Sequence, residues 1–99
     1  MVGKEAFIAV YMMASGRHGT LYVGVTSMLP VRVAQHREGT LDGFTKEYGV
    51  TRLVWFEIYD DMASATRREK AIKKYRRDWK ILIERENPAW ADLYPKLFL

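Results

Sequence analysis

Cysteine is absent from the 99 residues, which excludes a disulfide framework and every thiolate site for zinc or an iron–sulfur cluster. A reducing compartment suits such a chain, and a cytoplasmic location is expected. Long apolar runs are missing too. The stretch after Met1-Val2-Gly3-Lys4-Glu5 is broken at Ser15-Gly16-Arg17, short of the ~20 residues of a membrane span, and it carries no signal-peptide cleavage pattern. No membrane partner is expected. Repeats, low-complexity tracts and linkers are likewise absent. With 48% hydrophobic and 13% aromatic residues, the chain has material for one core and is too short for two. It reads as a single domain over 1–99 with a short C-terminal tail from about residue 87.

What is present in excess is positive charge in one place. Between Arg67 and Arg85 stand nine basic residues and three acidic ones, a net +6, whereas the other eighty residues carry a net −2. Lysine and arginine gathered on one element release counterions from a polyanion, so the segment reads as a nucleic-acid grip. The other reading of such a run is an ordinary solvated helix face.

Two β-rich stretches, residues 6–13 and 20–26, flank the turn formers Ser15-Gly16-Arg17-His18-Gly19 and predict a hairpin. Ser27 is expected to cap a helix that tolerates Pro30 in its first turn and stops at Gly39. Residues 40–50, with Asp42, Gly43 and Gly49, read as a loop. Residues 51–59 predict a third strand, with Leu53, Trp55, Glu57 and Tyr59 on one face and Val54, Phe56 and Ile58 on the other. Asp60 or Asp61 then caps a helix to about Tyr75, and a second helix runs from Arg77 to Glu86, before Asn87-Pro88. The order is ββαβαα, an α+β chain.

The inward stripe of the helix after Asp61 should be Met62, Ala65, position 69, Ile72, Tyr75 and then Trp79, yet position 69 is glutamate. A carboxylate in an apolar seam must be paired, protonated or bound to a metal. Either Glu69 pairs with Arg68 or Arg32, or it holds a hard divalent ion, for which one protein carboxylate suffices. Arg32 and His36 are one helical turn apart. They join a fork shaped for phosphate to a group that moves protons near neutral pH. Tyr11 and Tyr22 lie on adjacent strands with Gly24 close by, and an interior strand glycine marks a close approach by another backbone or a ligand. Taken singly, the arginine and histidine also fit a helix surface, and the tyrosines fit a core.

Together these residues resemble the GIY-YIG nuclease family along most of the chain. The first motif stands as Val10-Tyr11-Met12 and the second, ten residues on, as Tyr22-Val23-Gly24; Arg32 and His36 match the family's Arg-x-x-x-His helix, and Glu69 falls at its metal-binding glutamate. Gly43 to Lys46 and Asn87 to Trp90 are similar to stretches of its small stand-alone bacterial members. The resemblance implies a three-stranded antiparallel sheet flanked by helices and one-step hydrolysis of a phosphodiester. It further implies that Glu69 holds Mg2+ or Mn2+, that Arg32 neutralises phosphate charge, and that Tyr11, assisted by His36, takes the proton of the attacking water while Tyr22 orients the reactants. Two departures stand out. The first motif lacks its glycine and isoleucine, and Val25 occupies a position where several active members have a lysine.

The expected function is therefore a metal-dependent DNA endonuclease selective for structure or of low sequence specificity, gripping DNA through Lys46, Arg67, Lys70, Lys73, Lys74 and Arg77. Branched, nicked and single-stranded DNA are all candidate substrates, and a monomer or weak homodimer is expected. The alternatives are a non-catalytic nucleic-acid-binding module that keeps the nuclease fold, and an interaction protein docking through Trp90, Tyr94 and Phe98, although the tail from Trp90 to Tyr94 equally fits a fold-back on its own core.

Overall fold

A computed structural model describes residues 7–40 and 43–98, without the side chains of 44 and 45. Strand β1 (Ile8–Ala14) lies at the centre of an antiparallel sheet, between β2 (Leu21–Thr26) and β3 (Arg52–Tyr59). Its residues Ala9 to Ala14 are fully buried because both faces are covered, which is why this strand reads as a continuous apolar run. Val10, Met12 and Ala14 join the core on one face; Ala9, Tyr11 and Met13 join the core on the other. The β1–β2 turn is closed by Ser15, whose N–H donates to the Thr20 carbonyl at 3.0 Å and whose Oγ accepts from the Thr20 N–H at 2.9 Å.

Between β2 and β3 run two helices, α1 (Leu29–Glu38) and the short α2 (Phe44–Glu47). The α2 turn lies in the segment read above as loop, and Asp42 falls outside the described residues. Met28, not Ser27, occupies the N-cap of α1 and makes no side-chain cap bond. Thr26 Oγ1 instead accepts from the Met28 N–H at 3.0 Å, so the turn is fastened one residue earlier than a serine cap would fasten it. Pro30 sits in the first turn, and Gly39 ends the helix in the left-handed conformation at φ 71°.

The third strand departs from simple alternation. Met12 pairs with Trp55 and Met13 with Leu53, leaving Val54 as the extra residue of a bulge. Val54 and Trp55 consequently pack into the same core, and Leu53 is thrown to the opposite one, beside Tyr11 and Val33. The expected pairing of Leu53 with the Trp55 face is corrected by this one insertion.

After β3, Asp61 caps α3 (Met62–Lys74) through its carboxylate, which accepts the Ser64 N–H at 2.7 Å. The chain breaks at Tyr75, makes a 3-10 turn (Arg76–Asp78) and continues as α4 (Trp79–Glu86). Both helices cover the face formed by Val10, Met12 and Val23, into which Ala65, Ile72, Trp79 and Ile83 pack. The tail folds back instead of projecting: Asn87 donates to the Val54 and Ala91 carbonyls at 3.0 and 2.9 Å, and the Leu93 N–H donates to the Leu53 carbonyl at 2.7 Å. Trp90 is fully buried. Of the two readings of the tail, docking on a partner and folding back on its own core, Trp90 follows the second. Among the described residues no helix is long and apolar enough to cross a membrane.

Candidate active site

Tyr11 is paired in register with Gly24. A Cβ on Gly24 would stand 2.7 Å from the Cζ and hydroxyl oxygen of Tyr11, so the phenol lies across β2 where any larger residue would meet it. The close approach signalled by the strand glycine is thus the Tyr11 ring itself. The ring's end is held, because its hydroxyl lies 2.9 Å from His36 Nε2 on α1 and is also hydrogen-bonded to Tyr22. The three rings form a triangle with centroids 6.2 Å (Tyr11–Tyr22), 5.6 Å (Tyr11–His36) and 5.4 Å (Tyr22–His36) apart. His36 is only 3% exposed, a core position and not a helix surface.

The electrostatics of this triangle follow from its burial. Desolvation, the neighbouring Tyr22 and the Glu69 charge all push the Tyr11 phenol well above the usual tyrosine range, with Arg32 pulling against them. Burial, and secondarily the Arg32 guanidinium, lowers His36 to about 4. At neutral pH the histidine is therefore uncharged, with one ring nitrogen as donor and the other as acceptor. Tyr11 is a phenol and not a preformed phenolate. Arg32 is partly exposed and makes no ion pair among the described residues, which leaves its fork open to an anion.

Glu69, on α3, is felt at the Tyr11 phenol through its charge. Ala65 and Ile72 are buried on either side of it in sequence, and its own side chain is 15% exposed, paired at 3.0 Å with Lys73 one turn on. The partner is neither Arg68 nor Arg32, the two expected candidates. Arg68 is committed to Glu57, donating from Nε at 3.0 Å and from Nη2 at 3.3 Å. The outer positions of the predicted stripe also fail: Met62 is 40% and Tyr75 63% exposed, the first at the mouth of the helix and the second at its break. Trp79 takes the core place, with its Nε1 donating to the Ile72 carbonyl at 2.8 Å.

Among the described residues no three His, Asp, Glu or Cys side chains cluster as a closed metal cage. A single half-sheltered carboxylate fits a magnesium-like ion, which keeps several waters and takes its remaining oxygens from a substrate phosphate. Val25 packs with the core beneath α3, on the face opposite Tyr22, and supplies no cation to the phenol triangle.

The basic residues divide. Lys73, Lys74 and Arg77 line one open cavity of about 500 Å³ together with Tyr75, Arg76 and Asp78. A neighbouring groove of about 570 Å³ runs between Arg76, Arg77, Trp79 and Lys80 and the hairpin residues Gly19, Thr20 and Leu21. Arg67 and Lys70 are exposed on α3, and Lys46 stands apart on α2, lining neither cavity. Arg76, Lys80 and the hairpin turn were not among the expected contacts. The cluster of like charges around them was the available signal, and the helix break that turns them toward the hairpin was not visible in it.

The family model described as the GIY-YIG catalytic domain matches residues 7–82. A UPF0213 protein of Clostridium perfringens is 36% identical over 62 residues, spanning 63% of this chain and 67% of that protein. A UPF0213 protein of Staphylococcus aureus is 34% identical over 68 residues, spanning 69% of this chain and 83% of that one. No solved structure gives a significant match.

Proposed function

The chain belongs to the GIY-YIG family, whose catalytic domain implies a nuclease with DNA as substrate, and from that membership we propose a metal-dependent endonuclease that hydrolyses phosphodiester bonds in one step. The observation that carries the reading is the Tyr11 hydroxyl, buried between His36 Nε2 and Tyr22 and within the electrostatic reach of both Arg32 and Glu69. A structural tyrosine has no need of a neutral buried histidine at its hydroxyl and of a nearby arginine that makes no ion pair among the described residues.

Arg32 binds a non-bridging oxygen of the scissile phosphate and offsets the charge that grows there, a contribution that preorganised donors make large. Tyr11 accepts a proton from the attacking water while its own proton passes to His36 Nε2. The two transfers must be concerted, because burial keeps the free phenolate scarce. Tyr22 holds the Tyr11 hydroxyl in line for this exchange. Glu69 would hold Mg2+ or Mn2+, which when bound supplies Lewis-acid polarisation of the phosphate and stabilises the leaving oxygen. With Val25 in the core and no lysine beside the phenol, the proton falls to the tyrosine–histidine pair.

Cleavage of labelled plasmid, single-stranded and branched DNA with and without divalent metal tests the proposal. Metal-dependent cutting by the native chain that is lost in Glu69→Ala and Arg32→Ala supports it. Equal DNA binding by all three proteins with no cutting of any substrate would favour the non-catalytic binding module.

A further inference from the structure

The ring of Tyr75 has no role in the chemistry above. At 63% exposure it is the most exposed of the large hydrophobic side chains among the described residues. It stacks on no other ring or guanidinium there, unlike the nearby Trp79, whose ring is covered by Arg76 at 4.9 Å. The backbone explains its position. At φ −124°, ψ 65° Tyr75 ends α3, its N–H donates to the Ile72 carbonyl, and the following 3-10 turn hands the core to Trp79.

Exposed in this way, Tyr75 separates two cavities. One, of about 500 Å³, holds four cations (Lys73, Lys74, Arg76 and Arg77) against the single acid Asp78. The other, of about 220 Å³, is walled mostly by carbon from Ala71, Ile72 and Leu82, with Arg68 and the shared Asp78 also lining it. Lys73, which lines the charged cavity, is also paired with the candidate metal carboxylate Glu69. Cations along one side of a free aromatic ring and an apolar hollow along the other match a nucleotide whose phosphate and base lie apart. A duplex base has both faces occupied by its neighbours and offers none to such a ring.

We propose that the break between α3 and α4 is a binding surface for unpaired nucleotides, in which Tyr75 stacks one base over the hollow beside Ile72 and Leu82 while Lys73, Lys74, Arg76 and Arg77 hold the flanking phosphates. The surface deepens the nuclease reading and rests on it for its purpose. The substrate it selects is DNA with a single-stranded segment, and fully paired duplex is bound by the cations alone.

The test is fluorescence anisotropy with an end-labelled single strand and with the same strand in a blunt duplex, in chelator so that nothing is cut. Tyr75→Ala is expected to weaken single-strand binding roughly 5- to 100-fold, the range for loss of one stacked base, and to leave the duplex unchanged. Tyr75→Phe, which keeps the π-face and loses the hydroxyl, retains native affinity. The pair Arg76→Ala with Arg77→Ala weakens both DNAs. An equal loss on both DNAs in Tyr75→Ala, or no loss on either, overturns the proposal. Cutting assays separate the two claims. Glu69-dependent cleavage with unaltered single-strand binding by Tyr75→Ala removes the stacking surface and keeps the nuclease. Tyr75-dependent single-strand binding by a chain that cuts no DNA does the reverse.

Discussion

Between α1 and the sheet the polar side chains are buried and meet one another: Tyr11 is fully buried, His36 is 3% exposed, and the two are joined at 2.9 Å, while the second ring nitrogen of His36, Nδ1, is buried without a partner among the described residues. Across the sheet, the polar side chains of α3 and α4 stand on the outside, with Lys70, Lys74 and Arg77 exposed and free of ion pairs among the described residues. The same fold thus makes two kinds of polar surface. A buried group must be satisfied by a fixed partner, so its position is accurate and its pKa is moved. An exposed cation keeps its ordinary charge and its freedom, which suits a flexible phosphate backbone and gives little positional accuracy. Glu69 belongs to neither side alone, since it rides on the basic helix and is felt at the buried phenol.

Substitutions at the junction should have the largest effects. Glu69→Ala is expected to slow cleavage at least about 100-fold, since a metal contributes several kcal/mol at the transition state. Its melting temperature should barely move, because the lost Lys73 pair is a helix-surface contact worth about 0.3–0.5 kcal/mol. Single-turnover rates beside a thermal melt separate the two. On the buried side, Gly24→Ala forces a carbon against the Tyr11 hydroxyl and should cost about 1–3 kcal/mol in the urea midpoint, with cleavage falling as the ring is displaced.

How far the sequence revealed these two surfaces differs between them. The element order, the Asp61 cap and the Gly39 stop were legible because each rests on a few adjacent residues. The positions that meet around Tyr11 were legible as a spacing pattern, and Gly24 announced a close approach. The bulge at Val54 was not, because Leu53, Val54 and Trp55 are apolar and buried in succession, so this stretch shows no alternation for an extra residue to interrupt. Tyr75 and Trp79 fit one inward stripe equally well, and only the helix break decides which of them is buried. The tail held aromatic residues at helical spacing. Its fold-back depends on Asn87 reaching the Val54 carbonyl, a contact 33 residues apart in the chain.

Acid should separate the two surfaces next. His36 titrates near 4 in the folded protein and near 6.5 when unfolded, so the unfolded chain binds the extra proton between those values. Stability therefore falls as the pH drops from 6.5 toward 4, by up to about 3 kcal/mol from this group, and its contribution is level below that. Urea midpoints at pH 6.5 and 4.5 should differ less in His36→Gln than in the native chain. The smallest effects belong to the exposed face. Arg67→Ala or Lys70→Ala should leave folding and the cleavage of saturating DNA unchanged, and each should reduce the slope of log affinity against log salt by about one. A slope that does not move would take that residue out of the grip.

The proposed mechanism requires Tyr11 and Glu69 to act on one phosphate, although Tyr11 packs on one face of the sheet and the helix carrying Glu69 covers the other. Single-turnover cleavage rates for the native chain, Tyr11→Phe, Glu69→Gln and the double variant, in saturating magnesium, test this most directly. Groups that act as one unit are strongly non-additive, so the double variant should be about as slow as the slower single one. Losses that multiply, or a native chain that cuts no DNA at all, would contradict a shared site.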